Sequence, residues 1–153
     1  MKLSFTQDNL NSFVTEHLTP QLSLFSIITF QGPLGTGKTT IIKNILKQCG
    51  IHENITSPTF GYVNSYTNDQ GVTFHHFDLY RINSIENFLA LGFNEYFYQK
   101  NSICLIEWPE IILDLLLQED IAPRILPIVL AYNLQITNSR TITIGESLKT
   151  LLT

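Results

Sequence analysis

Apolar residues along this chain fall into short blocks separated by polar, glycine- or proline-bearing breaks, and the period changes from block to block. Leu10, Phe13, Val14 and Leu18 recur at helical spacing, and Pro20 predicts the stop of that first helix. Leu24–Phe30 is a β-rich apolar run with the character of a buried strand. In Lys38–Cys49 the apolar positions Ile41, Ile42, Ile45, Leu46 and Cys49 form a helical stripe, and Gly50 stands where a left-handed residue ends a helix. Phe60–Tyr66 and Val72–Asp78, joined by Thr-Asn-Asp-Gln-Gly, read as a β-hairpin. Asn83-Ser-Ile-Glu86 has the form of a helix N-cap with its reciprocal glutamate, and that helix should end near Gly92. Ser102–Glu107 is a second buried strand, stopped by Trp108-Pro109. Ile111–Leu117 suits a turn or two of helix, Leu126–Tyr132 and Arg140–Ile144 suit strands, and Glu146–Leu152 suits a short closing helix.

Strands that alternate with helices, plus one hairpin, predict an α/β fold with a mixed, mostly parallel sheet. At 153 residues, with 44% hydrophobic and 14% charged positions, the chain is expected to form a single domain, 1–153, with a proper core. No apolar run reaches the ~18 residues that span a membrane, and the N-terminal residues turn polar too early for a signal peptide. Cys49 and Cys104 have no metal-binding spacing, so buried, reduced thiols and a cytoplasmic location are expected. Net charge is −4 with only nine Lys and Arg residues, which argues against tight autonomous binding of nucleic acid.

The chemistry is concentrated between the first strand and its helix. Gly32–Thr39 reads Gly-Pro-Leu-Gly-Thr-Gly-Lys-Thr, the full G-x-x-x-x-G-K-[ST] pattern of a phosphate-binding loop. Glycines allow the backbone to curl into a nest of inward N–H groups, and the following helix adds its positive end. Lys38 would reach the β- and γ-phosphates, and the Thr39 hydroxyl would meet Mg²⁺. The motif therefore predicts a P-loop NTPase-like domain that binds a nucleoside triphosphate with magnesium. Such a site needs carboxylates, and ligands sit at the carboxyl ends of strands in open α/β sheets. Ile103-Cys-Leu-Ile-Glu107 supplies an acid where a strand emerges, and Asp78 ends the strand of His75-His-Phe-Asp-Leu-Tyr-Arg81.

Gly-Pro-Leu-Gly-Thr-Gly-Lys-Thr-Thr40, Ser57-Pro-Thr-Phe60, His76-Phe-Asp-Leu-Tyr-Arg81 and Ile103-Cys-Leu-Ile-Glu-Trp-Pro109 stand in this order, and together they resemble the TsaE (YjeE) family. That family is the ATPase component of bacterial tRNA threonylcarbamoyladenosine synthesis. The resemblance covers roughly residues 5–110 well and the last forty loosely. It implies that ATP phosphates are held by Gly32 and Gly35, Thr36, Gly37, Lys38, Thr39 and Thr40, with Thr39 and Glu107 on Mg²⁺. Lys38, Asp78 and Glu107 are the implied catalytic residues, with Asp78 acting through water. Arg140 matches an arginine near the nucleotide, Thr6 or Asp8 an N-terminal nucleotide contact, and Thr59 a threonine of a mobile segment. The implied partner is the TsaB–TsaD heterodimer, with ATP binding and hydrolysis supporting repeated turnover of that complex. The segment Glu110–Pro127 is longer and more apolar than the family's polar loop.

Other readings stay beside this one. A small-metabolite kinase uses the same loop, but such kinases close a cation-rich lid for which no Arg-rich segment is present. A GTP-dependent switch would carry an Asn-Lys-x-Asp guanine-reading motif, which is lacking. His75 and His76 are adjacent, so a strand points them to opposite faces, and packing or hydrogen bonding to neighbours is favoured over shared metal ligation. Trp108 suits a ligand contact or an interface. Phe93, Tyr96, Phe97 and Tyr98 suit core packing or a partner-facing patch, and Arg81 suits a charge-assisted pair with Asp78, favoured slightly, or a solvent-facing position.

Overall fold

A computed structural model describes residues 1–146 and Leu148. Seven strands form one sheet: β1 Lys2–Thr6, β2 Ile27–Gln31, β3 Val63–Thr67, β4 Thr73–Asp78, β5 Ser102–Glu107, β6 Ile125–Tyr132 and β7 Ser139–Ile144. Their order is β1-β7-β6-β2-β5-β4-β3. The four central strands, β6-β2-β5-β4, are mutually parallel, and antiparallel pairs close both sides. The β3–β4 hairpin lies where the sequence placed it, with Val63 opposite Phe77 and Thr67 opposite Thr73.

Helices cover both faces. On one, α1 (Leu10–Phe13) and α2 (Lys38–Gln48) pack on Ile28, Phe30, Leu105 and Ile128. The α2 stripe Ile41, Ile42, Ile45 and Leu46 is wholly buried. Each such side chain contributes on the order of 1.5–3 kcal/mol relative to exposure. On the other face α3 (Ile85–Ala90), a 3₁₀ turn at Phe93–Tyr98 and α4 (Leu113–Leu116) pack on Ile27, Phe77, Cys104 and Ile106. The aromatic cluster belongs here: Phe93, Tyr96 and Phe97 pack around Phe77, while Tyr98 faces outward and donates its hydroxyl to Asp120 at 2.8 Å. No helix among the described residues is long and apolar enough to cross a membrane.

Several local expectations shift. Pro20 does not end the first helix; a π-helical turn at Val14–Leu18 follows α1, and Pro20 enters a 3₁₀ turn at Thr19–Ser23. A proline is tolerated there because the first residues of such a turn need no N–H donor. The cap of α3 is Ser84, whose hydroxyl oxygen accepts the Asn87 N–H at 3.1 Å; it sits one residue later than the Asn83–Glu86 spacing suggested. Strand β1 has no counterpart in the sequence reading. Its alternation is short, and it is a strand because β7 pairs with it, Phe5 opposite Arg140. The region after Trp108 becomes a 3₁₀ turn at Pro109–Ile112 and then α4. The closing helix expected at Glu146–Leu152 lies mostly outside the described residues.

Candidate functional site

The phosphate loop leaves the carboxyl end of β2 and opens α2, with Gly37 left-handed (φ 98°) at the helix start. Gly32 is required at its position: φ is 135°, and a Cβ would lie 2.2 Å from the Leu130 carbonyl oxygen. Three strands deliver the other groups to the same edge. Asp78 ends β4 directly opposite Glu107 at the end of β5, and Glu107 is opposite Phe30 on β2. Strand parity then selects the face. His76 and Asp78 look toward α2, while His75 and Phe77 look the other way: Phe77 into the second core, His75 onto Tyr96.

Thr39 Oγ1 donates toward both Glu107 carboxylate oxygens, at 2.8 and 2.9 Å. His76 Nε2 lies 2.8 Å from Glu107 Oε1, with its ring fully buried. The expected packing role of the two histidines thus takes a defined form: His76 backs Glu107, and His75 is fixed by Ser65 and Gln99 at 2.7 and 2.8 Å. Lys38 is 5% exposed and folds back on its own loop, donating to the Gly32 and Pro33 carbonyls at 2.7 and 3.0 Å. Its ammonium also sits 3.8 Å from the centre of the Trp108 ring. Trp108 holds a left-handed backbone (φ 58°) that turns the indole back over the lysine, and it also packs on Tyr80. A bulky residue in that conformation carries about 1–2 kcal/mol of strain, the kind stored at functional sites.

The electrostatics show what is missing from this cluster. Burial depresses the Lys38 pKa, partly offset by Glu107, Glu110 and Asp78, yet among the described residues Lys38 makes no ion pair. A buried ammonium whose direct partners are carbonyls and a π face suits an incoming anion. Burial raises the Asp78 carboxyl above the usual range, against the opposing Tyr80 N–H, which it accepts at 3.1 Å. Of the two readings of Arg81, the favoured pair with Asp78 does not form and the solvent-facing one holds: Arg81 is exposed at the rim, and Asp78 accepts from the Tyr80 amide instead.

Two cavities meet at the loop. One, of about 350 Å³, is lined by Lys38, Thr39, Asp78, Glu107, Trp108 and Arg81, and the Ser57–Thr59 segment forms its outer wall. The other, about 660 Å³, lies across the loop and is lined by Thr6, Asp8, Thr36, Thr40, Asn138 and Arg140; Gly35 and Gly37 border both. Thr6, Asp8 and Arg140, far apart in sequence, therefore share one cavity, because β1 pairs with β7. A hydroxyl and a carboxylate converging beside a cation supply hard oxygen donors, which fit Mg²⁺ held with phosphate and water. Among the described residues no three His, Cys, Asp or Glu gather into a metal cage. Sequence reasoning missed Tyr132, whose ring lies under Arg140 and whose hydroxyl reaches the loop. It also missed the His76–Glu107 contact, for which the two-residue offset from Asp78 on the same strand was the available signal.

Known proteins resemble this chain in sequence and in fold. A tRNA threonylcarbamoyladenosine biosynthesis protein TsaE from Haemophilus influenzae is 42% identical over 84 residues, 55% of this chain and 52% of that protein. Another from Rickettsia prowazekii is 38% identical over 109 residues, 71% of each chain. The match to the Haemophilus protein thus spans about half of that relative's length. A solved structure titled as Bacillus subtilus YdiB superposes with a TM-score of 0.61 at 28% identity, covering 94% of this chain and 84% of the other. The family model described as threonylcarbamoyl adenosine biosynthesis protein TsaE matches residues 6–141. That match spans most of the chain, and the chain belongs to the TsaE family.

Proposed function

We propose that this chain is an ATP-binding, slowly hydrolysing subunit that supports threonylcarbamoyl modification of the adenosine next to the anticodon in tRNA, through the TsaB–TsaD complex. The 153 residues act as one ATPase domain. The observation that carries this is the convergence of Lys38, Thr39 and Glu107, from two elements, at the mouth of the phosphate loop. Nucleotide enters with its base and ribose in the cavity of Thr6, Asp8 and Arg140, and its phosphates run over Gly35, Thr36 and Gly37. Lys38 exchanges its carbonyl partners for phosphate oxygens, releasing the buried ammonium from neutral contacts. Thr39 and Glu107 would hold Mg²⁺, which when bound neutralises charge on the β- and γ-oxygens. Asp78, on the neighbouring strand beside Glu107, orients the attacking water and receives its proton; its burial-raised pKa suits that task.

Slow turnover follows from the arginines. Phosphoryl transfer gains several orders of magnitude from a guanidinium on the γ-phosphate. Arg124 is tied to Ser26 and to the Phe97 carbonyl, and Arg140 lies on Tyr132. Arg81 remains, exposed at the rim with no hydrogen bond or ion pair among the described residues, so a partner that orders Arg81 or adds its own cation completes the site. The low basic content suits a subunit that leaves tRNA to its partners. The test is ATP hydrolysis with and without purified TsaB–TsaD, together with capture of that heterodimer in ATP. Weak hydrolysis that rises on addition is expected. Equal rates, or γ-phosphate transfer to a small alcohol or nucleoside, would replace this reading with an independent ATPase or a metabolite kinase.

A further inference from the structure

Tyr132, at the end of β6, donates its hydroxyl to the Leu34 carbonyl at 2.5 Å. Leu34 is the tip of the phosphate loop and is 70% exposed. Among the described residues Thr36 bonds to Pro33 alone, through its N–H at 3.3 Å and its hydroxyl at 2.8 Å. Among the described residues the Tyr132 bond is the one tie from a sheet strand to residues 33–36. The peptide is trans, so the Leu34 oxygen and the Gly35 N–H point in opposite directions. Pinning the oxygen toward Tyr132 turns that N–H away from the ring. The fit is close, since a Cβ on Gly35 would lie 2.9 Å from the tyrosine oxygen. The ring itself is held by Arg140, whose guanidinium stands 4.8 Å over its centre and donates to the Ser139 carbonyl at 3.0 Å.

We propose that Tyr132 is a positioning residue of the phosphate loop: it clamps the Leu34 peptide so that the Gly35 N–H faces the bound phosphates, with Arg140 bracing the ring. This deepens, and rests on, the nucleotide site proposed above. Arg140 lines the base-side cavity, so the same brace links an occupant there to the geometry of the loop.

Tyr132→Phe removes the hydroxyl and keeps the ring under Arg140. Tyr132 is 44% exposed, so the variant is expected to melt within a few degrees of the parent. Calorimetric titration with magnesium–ATP and with magnesium tripolyphosphate, which has no base, should show both affinities reduced about three- to ten-fold, the range for one hydrogen bond. Unchanged affinities overturn the clamp, and so does a loss confined to ATP, which would place Tyr132 on the base side. If the parent binds neither probe, the nucleotide reading itself fails. The clamp is then still read by the NMR order parameter of the Gly35 amide, which should fall in the variant; an equal value in parent and variant overturns it.

Discussion

His76 Nε2 and Glu107 Oε1 are 2.8 Å apart with side chains 0% and 3% exposed, so the carboxylate that Thr39 donates to is anchored from beneath by an imidazole. Two donors from two elements converge on one buried acid, and its orientation is fixed before any ligand arrives. Among the described residues His76 Nδ1 has no hydrogen-bond partner, so the one polar contact of the ring found there is to Glu107. Removing that donor leaves a buried carboxylate short of a partner. His76→Leu should therefore cost about 1–3 kcal/mol. His76→Gln, whose amide can reach the same oxygen, should recover part of it. Chemical unfolding of the three proteins checks this, and equal losses in both variants would assign the ring to packing alone.

Lys38 and Glu107 should separate by what they abolish. Lys38→Ala removes the one buried cation of the loop and should eliminate useful ATP affinity. Glu107→Ala should spare most nucleotide contacts and remove magnesium-dependent hydrolysis. Titration calorimetry with and without Mg²⁺, followed by phosphate release, distinguishes the two. Intact hydrolysis in Glu107→Ala would transfer the metal to Asp78.

Glycines in the loop should not be equivalent. Gly32→Ala places a Cβ against the Leu130 backbone, whereas at Gly37, φ 98°, a Cβ meets nothing within 4 Å. The second substitution costs only the left-handed backbone, about 1–2 kcal/mol. The first adds overlap with a strand that cannot move aside. Thermal melting should rank the parent above Gly37→Ala and Gly37→Ala above Gly32→Ala.

His75 should give stability a dependence on pH. Burial lowers its pKa, offset in part by Gln99. The unfolded chain takes up a proton near the usual imidazole value, about 6.5, while the folded chain takes it up only at lower pH. Between those values the unfolded state binds more protons, so stability rises with pH. The contribution is complete above the ordinary range and is lost as pH falls through it toward the folded value. Denaturant unfolding from pH 7.5 to 5 should show this decline, flattened in His75→Gln.

Much of this was legible in sequence because it is local. The loop pattern names its own residues, since only glycine tolerates the required φ and only Lys-Thr at the helix start supplies the cation and hydroxyl. The buried α2 stripe and the β3–β4 hairpin follow from period and turn chemistry. That Asp78 and Glu107 end strands was also readable, and the strand-end rule put them at one edge. Partnership between distant segments was not readable. Sequence left Arg81 either paired with Asp78 or facing solvent; in the fold the Tyr80 amide takes the carboxylate and Arg81 is exposed. Nothing in the pattern of β1 announces a strand, and only pairing with β7 brings Thr6 and Asp8 beside Arg140. His76 under Glu107 and Tyr132 on Leu34 depend on which strands lie side by side and in what register. A one-residue slip would turn each of those side chains to the opposite face. The sequence alone therefore determined which chemical groups this protein carries and which strand and helix bear them. The tertiary structure decided which of those groups touch, because side-chain contacts across a sheet are set by strand order and register, which no local stretch of sequence encodes.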